Sequence, residues 1–218
     1  MAFADHMKRH LNPPKSISDD NEWYLKATTE ALNEWMMELE TALMVPSLSV
    51  NGSCITPAGV TIPYTVPSAG YFVPKMLRFT LLEVKGAMWC GDAEKSFENL
   101  FDLVGTKIAM NFSKVIAVPA LIGGQGIPAL VTSHFKLAGS ALVAWAKATG
   151  APMKEDPETA TITPESFLEQ ESTLLLNAVK SIPPVPTPAI GDPIPATPVA
   201  CPGGIFVGTI GVNFANAR

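Results

Sequence analysis

Two stretches of this chain, residues 46–74 and 183–211, cannot be continuous helix, because proline recurs through both. Each proline fixes its own φ and removes an amide donor, so such segments are confined to polyproline or edge-strand conformations. Both stretches are rich in Gly, Val and Ile and almost uncharged. Their backbone groups therefore need water or a neighbouring strand as partner. What lies between them carries apolar residues at helical spacing, so the expected fold class is mainly α. About five helices are expected, with long extended Pro/Gly-rich arms that form short edge strands.

The first helix is capped by Asp19 or Asp20 and stops before Pro46, with Leu25, Leu32 and Leu39 a heptad apart and Trp35, Met36 and Leu43 beside them. A second is expected from Pro74 at its first turn, through Met76, Leu77, Leu81, Val84 and Met88, to Gly91. Asp92 caps a third, whose apolar positions run from Phe97 to Phe112 before Pro119, and the short link at Gly91 makes the two an antiparallel hairpin. The fourth covers 133–149 and stops at Gly150. The fifth takes Thr163 as cap and Pro164 in its first turn and ends before Pro183. The division that follows is an N-terminal extension (1–18), a helical core (19–152) with a Pro-rich insertion (46–73), a linker and C-terminal helix (153–182), and an extended apolar arm (183–218).

The pentapeptide GxxIP occurs three times, at Gly59–Pro63, Gly124–Pro128 and Gly191–Pro195, each after a helix. This points to an internal repeat of helix plus apolar arm. The arm residues expected to make contacts are Ile62, Pro63, Phe72, Ile127, Pro128, Ile194, Pro195 and Phe206. Charge is segregated: no acid lies between Asp102 and Glu155, where Lys107, Lys114, Lys136 and Lys147 fall. A basic middle set against acidic first and fifth helices is one arrangement of these charges, and solvated faces are the other.

A net charge of -5 gives no basic footprint for nucleic acid. No stretch reaches the roughly 20 unbroken apolar residues of a membrane span. At 47% hydrophobic and 16% charged residues, with mean hydropathy +0.23, the chain has more apolar surface than a free monomer of this size usually carries, which suggests partners. Three widely spaced cysteines do not look like a disulfide framework, so reduced thiols in a cytoplasmic product are expected.

HExxH, CxxC, GxSxG and GxxxxGK are all absent from the sequence, which disfavours the reaction classes that use them and leaves no catalytic residue or cofactor to name. Cys90 reads as a packed thiol, and the glycines at 123, 124 and 126 as a turn. Cys54, His134 and Cys201 are zinc candidates only if three arms meet on a pseudo-threefold axis. The sequence reading assigns no metal, because isolated Cys and His are usually packed. His6 and His10 read as a solvated end. A rival reading is a helical enzyme or small-ligand-binding protein with a pocket near Trp89, His134 and Trp145. A peripheral membrane role is disfavoured by the sparse lysines.

The C-terminal stretch CPGGIFVGTIGVNFANAR, under a tenth of the chain, is similar in its Gly-rich strand pattern to the PAAR proteins that tip contractile spikes. It lacks their Pro-Ala-Ala-Arg motif, so neither residue roles nor a zinc site carry over. The expectation is a non-catalytic structural subunit of a phage virion or contractile tail (baseplate, neck or tail). It would pack against other proteins of that assembly or against itself, and would be located in the virion after synthesis in the host cytoplasm. On this reading, removal of residues 183–218 abolishes assembly and spares helix content.

Overall fold

The computed structural model describes residues 2–12, 21–44, 48–117, 122–125, 128–149, 164–182, 185–191, 205–212, 214 and 217. Helix is the larger part, as expected. The helices are α1 (Phe3–His10), α2 (Asn21–Leu43), α3 (Leu81–Met88), α4 (Ala93–Asn111), α5 (Pro128–Thr149) and α6 (Pro164–Lys180). The strands are β1 (Leu48–Ile55), β2 (Thr61–Phe72), β3 (Lys114–Ala117), β4 (Ile122–Gln125), β5 (Val185–Gly191) and β6 (Ile205–Val212). Among the described residues, two helices followed by two strands occur three times over.

The leucine heptad of α2 is its buried edge: Leu32, Met36, Leu39 and Leu43 are fully enclosed, with Trp35 beside them. Each helix packs on its neighbours in chain order and α1 also meets α6, so the six form a closed ring around a common core. The tightest crossing is α4 on α5. A Cβ on Gly105 would lie 2.6 Å from Phe135 Cβ, so only glycine lets Phe135 seat there.

All strands join one antiparallel sheet in the order β4-β3-β2-β1-β6-β5. β4 and β5, its two ends, also lie against each other, so the sheet curls towards a barrel. Among the described residues no ladder joins them. The reason is in the sequence: Pro186 and Pro188 of β5 have no amide to donate, and the ladder with β6 survives only if both face away from it, towards that seam. Phe72, at the end of β2, ties barrel to helices. Its ring centroid lies 5.6 Å from that of Phe112 after α4 and 4.7 Å from that of Phe214 after β6.

Several expectations are corrected. The Pro-rich segments are not free arms or mere edges, because β1 pairs on both sides, with β2 and β6. Residues 183–218 therefore supply an interior strand, and deleting them would strip β1 of a partner rather than test assembly alone. The helix expected from Pro74 starts only at Leu81, where Thr80 and Glu83 cap one another reciprocally. α5 starts earlier than expected, with Pro128 as its first residue. β3 and β4 were not foreseen.

The N-terminal extension contains α1, which buries Phe3, Ala4 and Met7. His6 is also buried, not solvated, with Nδ1 2.7 Å from Glu34 Oε2 and Nε2 3.3 Å from Glu38 Oε2; His10 Nε2 lies 3.2 Å from Glu34 Oε1. Among the described residues, the middle lysines Lys107 and Lys147 pair with Glu83 of α3 and Glu94 of α4, not with acids of the expected first and fifth helices.

The GxxIP copies also fall out of step with the helix-and-strand order. Gly59 sits in the β1–β2 turn, Gly124 lies within β4 and Gly191 ends β5.

Candidate interaction surface

Between β2 and α3 the chain runs through residues 73–80 without regular structure, yet it is held at many points. The amides of Lys75 and Leu77 donate to one residue, the backbone oxygen (3.0 Å) and Oδ1 (3.1 Å) of Asn111. Asn33 brackets Phe79 from both sides, accepting from its amide at 2.7 Å and donating to its carbonyl at 3.0 Å. Arg78 forks onto Glu40 at 2.6 and 2.8 Å, and Asn111 Nδ2 adds a third donor to that carboxylate at 2.7 Å. Glu40 is 6% exposed, so its charge is tolerated only because this fork and amide replace its water.

The clamp has a geometric consequence. Met76 lies between two amides bound to the same asparagine, so the chain must turn there, and Met76 takes φ 56°. That left-handed conformation is costly for a residue with a Cβ, and it persists because the bonds on either side over-determine it. Met76 is 66% exposed. Met110, next to the clamping Asn111, Met37 on α2, and Met44 just past its end also face solvent. Thioether side chains pack adaptably, so the chemistry available to such a surface is apolar contact.

Of the arm residues expected to make contacts, Phe72 is fully buried and serves the core instead. Ile62 is half-buried opposite Cys54, and Pro63 is exposed opposite Ser53. Phe206 lies between Cys54 of β1 and Gly191 of β5. Pro128 opens α5, and Ile127, Ile194 and Pro195 lie outside the described residues. The residues that build the clamp were not singled out from sequence. The available signal was Asn33 and Asn111, amides interrupting apolar helical patterns.

The structure does not bring the rival pocket together. His134 and Trp145 lie eleven residues apart on α5, about 16 Å along the axis. His134 Nδ1 is 3.1 Å from Ser181 Oγ, whereas Trp145 packs near Phe167, and Trp89 stands 57% exposed beside Lys85.

The zinc reading is overturned at Cys54, which is disulfide-bonded and hence no ligand. Among the described residues no cluster of His, Cys, Asp and Glu could hold a metal ion. The expectation of three reduced thiols fails with it: Cys90 is free, and the sequence leaves Cys201, outside the described residues, as the only other cysteine. Titrated in denaturant without reductant, the chain is expected to show one reactive thiol, and all three after reduction. Three before reduction would contradict the disulfide.

Among the described residues no helix is long and apolar enough to cross a membrane. No protein-family model, curated protein or solved structure matches the chain.

Proposed function

We propose that this chain is a non-catalytic structural subunit of a larger assembly, and that the 73–80 clamp is one of its contact points. The observation that carries this reading is Met76, a large apolar side chain turned outward at an unfavourable φ and fixed there by Asn33, Glu40 and Asn111. Strain kept at an exposed apolar residue does nothing for the isolated fold. It is what selection for a contact would retain.

The setting we propose is a phage virion or contractile tail, with neighbours that are other proteins of that assembly or further copies of this chain. Two things support it: the similarity of residues 201–218 to the PAAR spike-tip proteins, and the αα–ββ order used three times, which suits an internal repeat better than the GxxIP copies do.

Met76→Gly tests the contact. Glycine adopts positive φ freely, so the variant is expected to be more stable to denaturant by on the order of 1 kcal/mol. In the same preparation it should self-associate at least tenfold more weakly by light scattering. A variant that is more stable and associates unchanged would remove the reason for assigning Met76 to a contact.

A further inference from the structure

The helix α1 rests in a groove between α2 and α6, and the charges of the two sides are opposite. From α1 come His6, Lys8, Arg9 and His10; they meet Glu34 and Glu38 of α2 and Glu165 and Glu169 of α6. Lys8 Nζ lies 2.9 Å from Glu165 and 3.2 Å from Glu169, and Arg9 Nη2 lies 3.2 Å from Glu34 and 2.7 Å from His6 Nδ1. Asp5, the acid of α1, turns back to accept from the Ala2 amide. Beneath the charges Phe3, Ala4 and Met7 are buried, with the Phe3 ring centroid 6.4 Å from that of Trp35. What fills this groove is thus defined in both shape and sign: an eight-residue helix, apolar on one side and basic on the other.

None of these contacts depends on α1 belonging to the same copy as the groove. Ten residues, 11–20, join α1 to α2. The end of α1 sits with His10 beside Glu34, about 20 Å along α2 from Asn21. Ten residues span up to about 33 Å, so the connection has length to spare. Eight residues are too few to stay helical alone in water, so α1 folds only against a groove. Its hold there is incomplete: Nε2 of His6 and Nε2 of His10 are buried without an aligned hydrogen bond, although carboxylate oxygens lie 3.3 and 3.2 Å away. A buried polar atom left unbonded weakens the seat.

We infer that α1 is an exchangeable arm, which in the assembly docks between α2 and α6 of a second copy, reciprocally and with the same contacts. This rests on the assembly reading and gives it a partner and a binding element. Closed and exchanged forms share every contact of α1, so concentration decides between them. A connection of this length presents α1 to its own groove at an effective concentration on the order of millimolar. Dilute chains therefore stay closed, and copies packed side by side exchange.

The test uses the full chain with Cys90→Ser as background. A chain carrying both Lys8→Cys and Glu169→Cys, treated when dilute with a short bifunctional maleimide, is expected to link within itself, which shows that α1 is seated. An equimolar mixture of the Lys8→Cys chain and the Glu169→Cys chain, brought to about 1 mM before treatment, is expected to give covalent dimer roughly tenfold above either chain alone. The internal link without a dimer from the mixture would overturn the inference, and so would the absence of both. If the mixture gives no dimer while the unmodified chain still associates more strongly than Met76→Gly, the arm is wrong and the assembly reading stands. A dimer from the mixture with no effect of Met76→Gly would keep the arm and remove Met76 from the contact.

Discussion

At pH 8 the Glu171→Gln variant is expected to be more stable than the unmodified chain by about 4 kcal/mol, with the gap closing as the pH falls towards 4.5. Glu171 lies on α6 with 1% of its surface exposed, and its Oε2 has no hydrogen-bond partner. Burial without a partner penalises the carboxylate and pushes the carboxyl up to about 8. Tyr24 is close enough to be affected: burial and then the Glu171 charge push its hydroxyl up as well.

The sign follows from which state holds the proton. Below the ordinary carboxyl value both folded and unfolded chains are protonated, and nothing is lost. Between there and pH 8 the unfolded chain ionises while the folded one does not, and stability falls by about 1.4 kcal/mol per pH unit. Above pH 8 both states are ionised and the deficit stays constant. Denaturant melts of both proteins across this range measure the difference directly. A difference independent of pH would mean that Glu171 is ionised and solvated in the folded chain.

The second large effect lies in the clamp. Replacing Arg78 by alanine leaves Glu40, 6% exposed, with only the Asn111 amide among its present partners. Breaking a buried pair from one side costs about 3–5 kcal/mol; since Arg78 is itself a third exposed and water can follow it in, a loss of about 3 kcal/mol is expected. Adding Glu40→Gln to Arg78→Ala removes the stranded charge and should recover more than half of the loss. The same double variant should still associate poorly, because residues 73–80 are no longer fixed. Equal stability losses in the single and double variants would show that the charge is not what the site costs.

Much of the helical layer was legible in the sequence because its signals are local. The heptad of α2, the Asp92 cap of α4 and the Pro164 start of α6 each announce themselves within one turn. Long-range pairing leaves no such mark. β1 and β6 are about 150 residues apart in sequence, and nothing in either names the other; proline density correctly excluded helix but suggested edges, whereas β1, β2 and β6 each pair with two neighbours. Pro74 misled because a proline suits an extended loop as well as a first turn, and the reciprocal Thr80–Glu83 cap six residues on decided the start. α1 does place Phe3, Ala4 and Met7 on one face, but eight residues with lysine, arginine and two histidines read as a charged end, and His6 is buried because α2 supplies carboxylates. The contact surface was invisible for a related reason: the positive φ of Met76 arises from Asn111, 35 positions away.

The central claim, that this chain is built to pack against neighbours, is tested most directly by the mass of the unmodified protein in solution, measured by light scattering over a wide concentration range. A mass above the 23.2 kDa of a single chain, rising with concentration, is expected. A constant 23.2 kDa at every concentration would contradict self-association through Met76.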